Sequence, residues 1–230
     1  MLPVAILAGG LATRLRPVTE TIPKALVKIA GEPFLAHQLR LLQRAGYRRV
    51  VMCVGYRAEQ IREFAGDGRA FGVEMEYVLD GPRLLGTAGS LKRALPLLGD
   101  AFAVVYGDSY LTCDYAAAEH AFLESGKQGL MTVYRNVGLF DTSNVEFAGG
   151  RILAYDKANR TPAMQHIDYG LGMFRRPAFD TVPEGEPFDL GAVYQDLLRR
   201  GELAAWESAD RFYEIGSQEG IRDLAEYLSR

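Results

Sequence analysis

The sequence predicts an α/β fold in three layers, with helices on both faces of a mixed, largely parallel sheet. Two observations carry that expectation. Through the first half of the chain, short apolar runs of strand length alternate with segments whose apolar residues recur at helical spacing. After residue 130 the texture changes to successive strands with a two-glycine turn, which adds a small antiparallel subregion. A Rossmann-like arrangement of this kind suits 230 residues, 48% of them hydrophobic and 24% charged, so a single domain over 1–230 is expected. Its halves divide near residue 112.

The elements follow in order. "PVAILA" (3–8) is the first strand, and "GEPFLAHQLRLLQRAG" (31–46) places Leu35, Leu39 and Leu42 on one helical face with Gly46 as a stop. The rhythm continues with "RVVMCVG" (49–55) as strand, "RAEQIREFAGD" (57–67) as helix, and "VEMEYVL" (73–79) as strand. "TAGSLKRALPLLG" (87–99) is the next helix and "AFAVVYGD" (101–108) the next strand. Beyond them, "GLMTVYR" (129–135), a hairpin over 144–157 turning at Gly149-Gly150, and "IDYGLGMFRR" (167–176) are strands. The chain closes with a helical 190–201, short strands at 202–208 and 212–216, and an amphipathic 218–230.

Composition excludes several classes of function. The net charge of -3 does not support a broad basic surface for nucleic acid or an anionic membrane, so any anion site must be local. No apolar run approaches the roughly 18 residues of a membrane helix, and no basic segment with a signal core opens the chain, so a cytoplasmic protein is expected. Cys53 and Cys113 lack partners at metal-binding spacing and read as reduced packing residues. His37, His120 and His166 show no ligand spacing either; the first two fall in helical segments, while His166 precedes the 167–176 strand.

The local anion site is the loop that leaves the first strand. Leu7 and Ala8 lead into Gly9 and Gly10, which let a backbone approach a ligand and present N–H groups to phosphate. Residues 1–30 hold Arg14, Arg16, Lys24 and Lys28 against one anion, Glu20. "GGLATR" is neither the dinucleotide fingerprint GxGxxG nor the P-loop GxxxxGK[ST]. Asp108 ends an apolar strand at what a parallel sheet makes its binding edge.

"LAGGLATRLRPVTETIPKALVKIAGEPF" resembles the signature of the sugar-1-phosphate nucleotidyltransferases, and the similarity continues in order through "GTAGSL" (86–91), "VVYGDSY" (104–110), "YDK" (155–157), "IDYGLGMF" (167–174) and "YEIGSQEG" (213–220). The nearest flavour is the short bacterial subgroup of manno-heptose-1-phosphate guanylyltransferases and muramic-acid-1-phosphate uridylyltransferases. The resemblance implies Mg²⁺-dependent joining of an NTP to a sugar 1-phosphate with release of pyrophosphate, GTP being slightly favoured over UTP or CTP. It implies catalytic roles for Arg14 and Lys24, and nucleotide contacts from Leu7, Ala8, Gly9, Gly10, Gly86, Thr87 and Gly89. By the same resemblance, Asp108 and Glu214 hold the metal, Glu214 standing where aspartate is usual and Asp210 being the weaker candidate. Asp156, Lys157, Asp168 and Gly170 are expected on the sugar side.

Two rival readings stay open at this stage. One is a non-catalytic nucleotide-sugar-binding homologue, although the charged groups it would be expected to lose are present. The other is a metal-dependent glycosyltransferase, although "GDSY" lacks its D-x-D. No C-terminal β-helix with a second activity is expected, and the protein is expected to act as a monomer or homodimer. Ala12 departs from the signature's usual glycine, which matters only where the backbone needs positive φ.

Overall fold

The computed structural model describes residues 1–230. Strand β1 (Val4–Ala8) leads into a loop of short 3-10 turns, a ribbon of β2 (Lys28–Ile29) and β3 (Glu32–Pro33), and helix α1 (Phe34–Arg44). Next come β4 (Arg49–Val54), α2 (Ala58–Ala65), β5 (Glu74–Leu79), α3 (Gly86–Leu98), β6 (Ala101–Tyr106), β7 (Ser109–Leu111) and α4 (Tyr115–Ser125). The remainder contributes β8 (Gly129–Arg135), β9 (Val145–Ala148), β10 (Arg151–Tyr155), β11 (His166–Arg175), α5 (Leu190–Arg199), β12 (Leu203–Ser208), β13 (Phe212–Glu214) and α6 (Gln218–Leu228).

Nine strands form one sheet in the order β10-β9-β11-β6-β1-β4-β5, with β8 joined to β11 and β12 to β8. β1 lies parallel to β4 and β6, β4 to β5, and β12 to β8. β11 runs antiparallel to β6, β8 and β9, and β10 antiparallel to β9, so every strand except β10 and β11 points the same way. The antiparallel strands are therefore continuous with the main sheet. The β9–β10 hairpin turns at Gly149 and Gly150, both at positive φ, as a two-residue turn matching the strand twist requires.

Alternation along β1 explains the layers. Val4 and Ile6 enter a core with Leu35, Leu39 and Leu42 of α1, Ile61 of α2 and Phe122 of α4. Ala5 faces the opposite core with Leu91 and Leu95 of α3 and Val193 and Leu197 of α5. A strand covered on both faces reads as an unbroken apolar run, which is what residues 3–8 show. A third, smaller cluster of Val27, Ile29, Phe34, Tyr110, Ile215 and Leu224 docks α6 against the β2–β3 ribbon and a second ribbon, β7–β13. No helix is long and apolar enough to cross a membrane. Both cysteines are free and buried.

Candidate active site

The ends of β1 and β6 and the start of α3 surround a cavity of about 270 Å³. Leu7, Ala8, Gly9 and Gly10 line one wall; Lys24, Gly86, Thr87 and Asp108 line others. The loop after β1 is pinned at both ends: the Tyr56 amide donates to the Gly9 carbonyl at 3.2 Å, and the buried Thr19 hydroxyl donates to the Ala12 carbonyl at 2.8 Å. Ala12 itself sits at φ 50, so the position does use the left-handed conformation that a glycine would adopt freely.

Asp108 reaches this wall because β6 ends at a glycine. A Cβ on Gly107 would meet the Leu7 carbonyl oxygen at 2.7 Å, and its absence lets the Gly107 amide donate to that carbonyl at 2.9 Å. Lys24 Nζ donates to Asp108 Oδ2 at 2.5 Å. The Ile215 amide donates to the Asp108 carbonyl at 3.0 Å, and β13 pairs with β7 so that Glu214 lies across from Ser109. The two expected metal carboxylates, 106 positions apart in sequence, are thereby brought onto one ribbon.

Burial and the neighbouring Asp108 and Asp141 carboxylates push the Glu214 carboxyl up to about 7, against the opposing pull of Lys24 and Arg14. Crowded carboxylate oxygens form a donor set suited to a hard divalent cation. No group of three or more His, Cys, Asp or Glu side chains is placed to hold a metal ion. Two carboxylates alone would leave waters or substrate phosphates to complete the shell of such a cation. Asp210 lines neither this cavity nor the pockets beside Glu214, and its backbone amide donates to Ser208 Oγ at 3.1 Å.

Arg14 is placed outside the nucleotide cavity. It lines a second pocket with Tyr106, Lys157, Asp168, Gly170 and Glu214, and a third beside the start of α6. Gly216 explains the convergence of cations: a Cβ there would lie 3.3 Å from Arg14 Nη2 and 3.5 Å from Lys24 Nζ. On the sugar side, burial pushes the Asp168 carboxyl up and the Lys157 ammonium pulls it part of the way back. The Asn144 side-chain oxygen accepts from the Asp168 amide at 3.0 Å, and Lys157 stands 5.8 Å from the Tyr106 ring centroid.

Two expected contacts, Asp156 and Gly89, are placed otherwise, and a third, Thr87, lines the cavity with its hydroxyl engaged by the fold. Asp156 turns its carboxylate into its own loop, accepting from the Ala158 and Asn159 amides at 2.7 and 2.8 Å, so it shapes the turn that carries Lys157. Gly89 faces the 186–188 backbone, where a Cβ would meet the Glu186 carbonyl at 2.6 Å, and its role is helix packing. Thr87 lines the cavity, but its hydroxyl donates to Asp189 Oδ2 at 3.2 Å and accepts from the Leu190 amide at 2.7 Å, tying α3 to α5. His166 also lies away from both pockets, its Nε2 3.1 Å from Glu207.

Sequence reasoning missed Tyr106, Asp80, Asp141, Asn144 and Arg160, all of which line these pockets. Asp80 carried the same signal as Asp108, a carboxylate closing an apolar strand. It accepts from the Leu85 amide at 3.1 Å and the Ser90 hydroxyl at 2.5 Å, fixing the approach to α3.

Residues 4–137 match the nucleotidyl transferase family. The chain belongs to that family. It is 30% identical to the N-acetylmuramate alpha-1-phosphate uridylyltransferase of Neisseria meningitidis, with 92% of each chain covered. It is 31% identical to the UTP–glucose-1-phosphate uridylyltransferase of Synechocystis, covering 85% of this chain and 55% of that one, so it spans about half of that relative's length. Its fold matches HddC from Yersinia pseudotuberculosis with a TM-score of 0.81 at 24% identity, covering 99% of this chain and 100% of the other. The family assignment agrees with the resemblance seen in the sequence signature, and the family's mixed α/β architecture is the one observed.

Proposed function

We propose that this protein joins an NTP to a sugar 1-phosphate, giving an NDP-sugar and pyrophosphate, with Mg²⁺ and with GTP ahead of UTP and CTP. The observation that carries the reading is Tyr106, whose ring lines both the cavity of Gly9 and Gly10 and the pocket of Lys157 and Asp168. One side chain thus separates a phosphate-binding loop from a polar sugar-sized pocket. Relatives named as sugar-1-phosphate uridylyltransferases support the reaction class. The preference for GTP rests on the likeness of the sequence signature to the guanylyltransferase subgroup, "GEPFL" and "VGYRAEQI" in particular.

In this mechanism a phosphate oxygen of the sugar 1-phosphate attacks the α-phosphorus, the bond to the β-phosphate oxygen breaks, and pyrophosphate leaves with the electron pair. The demands are charge neutralisation and alignment rather than proton removal. Gly9 and Gly10 offer backbone donors to the NTP. Lys24 holds charge at the junction and is shared between Asp108 and the reacting phosphates, while Arg14 supplies a bidentate fork at the same point. Lys157 receives the sugar phosphate and Asp168 accepts from sugar hydroxyls. Asp108 and Glu214 would hold Mg²⁺, which supplies positive charge to the phosphate oxygens when bound. A cytoplasmic monomer or homodimer is the setting we propose for it.

The test is pyrophosphate release with Mg²⁺ across four NTPs and dTTP, paired with hexose, amino-sugar and heptose 1-phosphates. Release that requires one NTP, one sugar phosphate and the metal, and is lost in Asp108→Ala, is expected. Nucleotide binding without release from any pair would overturn the reading.

A further inference from the structure

The turn capped by Asp156 carries Lys157 back over the sheet. There its ammonium stands 5.8 Å from the Tyr106 ring centroid and 6.0 Å from that of Tyr155. It forms no ion pair. Two aromatic faces thus hold a cation in the sugar-side pocket without spending its charge on a carboxylate, as Lys24 does on Asp108.

Tyr155 closes β10 and is 4% exposed, its ring edge-on to Tyr194 of α5 at 5.8 Å between centroids. It lines neither the nucleotide cavity nor the sugar-side pocket. Its hydroxyl is buried and has no hydrogen-bond partner in the protein. An unpaired buried hydroxyl destabilises a fold, and phenylalanine would fill the same space without it, so the oxygen needs an account other than packing. Its charged neighbours supply one. Burial, then the Asp168, Asp189 and Asp156 carboxyls, push the Tyr155 hydroxyl up. Burial pushes Asp168 up as well; Lys157, the Gly170 amide at 3.1 Å from Oδ1 and the Tyr155 hydroxyl pull it back, while Asp189 adds to the rise. The ring of Tyr155 therefore faces the cation of the sugar-side pocket, and its hydroxyl faces the carboxyl.

Resting on the sugar-nucleotidyl reading above, we propose that Tyr155 is a positioning residue of the sugar-phosphate pocket. Its ring sets the Lys157 ammonium for the phosphate, and its hydroxyl donates to the Asp168 carboxylate as the sugar settles, a bond that forms in the complex and is open without it. Tyr155 touches no substrate atom. It acts through two groups that do, and the cost of its unpaired hydroxyl in the free protein is offset when substrate binds.

Tyr155→Phe and Tyr155→Met test this by pyrophosphate release and thermal melts, using the NTP and the hexose, amino-sugar or heptose 1-phosphate that the parent turns over fastest. Tyr155→Phe removes only the hydroxyl. It is expected to melt at or above the parent, while KM for the sugar phosphate rises about fivefold and KM for the NTP stays put. In an Asp168→Asn background the same change should raise KM less than about twofold, since the charge-assisted bond is already gone. Tyr155→Met fills the space without a π face and should add about a further threefold in KM, an increment absent in Lys157→Gln. A lower Tm with unchanged KM in Tyr155→Phe overturns the proposal by making the hydroxyl structural. An undiminished KM effect in Asp168→Asn overturns it by assigning the hydroxyl to another partner, and Tyr155→Met no worse than Tyr155→Phe overturns the role of the ring. All three spare the reaction class. A parent that binds nucleotide but turns over no pair overturns the reaction class and this proposal together.

Discussion

Lys24 Nζ lies 2.5 Å from Asp108 Oδ2, joining the loop after β1 to the end of β6 across 84 residues of sequence. The pair is partly open to solvent, with side chains 16% and 31% exposed, so its net contribution to stability is about 0–1 kcal/mol. Its value in the proposed reaction lies in placing a cation beside the carboxylate proposed to hold Mg²⁺. Asp108→Ala is therefore expected to melt within a few degrees of the parent while losing about 10²–10³-fold or more in kcat, the scale of removing one electrostatic stabiliser. Lys24→Met should lose activity with nucleotide binding largely kept. Initial rates beside a thermal melt check both, and a fully active Asp108→Ala protein would remove the carboxylate from the chemistry.

The cysteines give a pH prediction with a definite sign. Burial pushes the Cys53 and Cys113 thiols each up to about 12 from an ordinary 9.0. Below pH 9 both are protonated in folded and unfolded chains alike, and they leave stability unchanged. Between about 9 and 12 the unfolded chain releases protons that the folded chain retains, so stability falls as pH rises. Burial also raises Tyr47 and Tyr155, which reinforces the fall. Urea midpoints flat from pH 7 to 8.5 and declining above 9 are expected, with no native thiol reactivity at pH 8. Rapid labelling of the native protein by a disulfide reagent would contradict this.

Asp168 couples stability to function in the opposite direction. Burial raises its carboxyl, so ionising it at neutral pH opposes folding, and that opposition fades as pH falls toward the ordinary carboxylate range. Asp168→Asn is expected to raise Tm at pH 7.5 by about 2–4 °C, equivalent to about 1 kcal/mol in a chain of this size, with the gain shrinking toward pH 4. The same change should raise KM for the sugar phosphate, because an amide presents donors where the carboxylate only accepts. A melt series over pH beside a KM measurement decides it. A gain independent of pH would mean that charge is not the cause.

What could be read from the sequence followed from periodicity and turn chemistry. β1, the Gly9-Gly10 loop, α1, α3 and the Gly149-Gly150 hairpin each carry a local signal, and each falls within a few residues of its expected place. The β7–β13 ribbon carried none at β7, since three residues are too few to show a period, although this ribbon brings Glu214 to Asp108. Asp141 and Arg160 stand on irregular loops, and Tyr106 reads as one more strand aromatic until β11 is seen beside it. Asp156 misled because an aspartate three residues before Asn159 caps a turn as readily as it meets a sugar.

The "VGYRAEQI" segment makes the last prediction. Its Tyr56 hydroxyl donates to the Glu20 carbonyl at 3.2 Å, Arg57 donates to the same carbonyl and to the Tyr56 hydroxyl, and Gln60 donates to the Thr21 carbonyl at 3.1 Å. These bonds brace the chain three residues before Lys24, from a residue held at φ 53. Arg57→Gly keeps that conformation without strain and removes only the brace. Its Tm should stay within a few degrees, while kcat falls about tenfold and KM for NTP moves little, because misplacement of a positioned cation acts on the transition state more than on binding. Arg57→Lys should recover only part of kcat, one ammonium replacing a fork that reaches two acceptors. If Arg57→Gly changed Tm and kcat in proportion, with Arg57→Lys restoring both, the brace would serve folding rather than alignment.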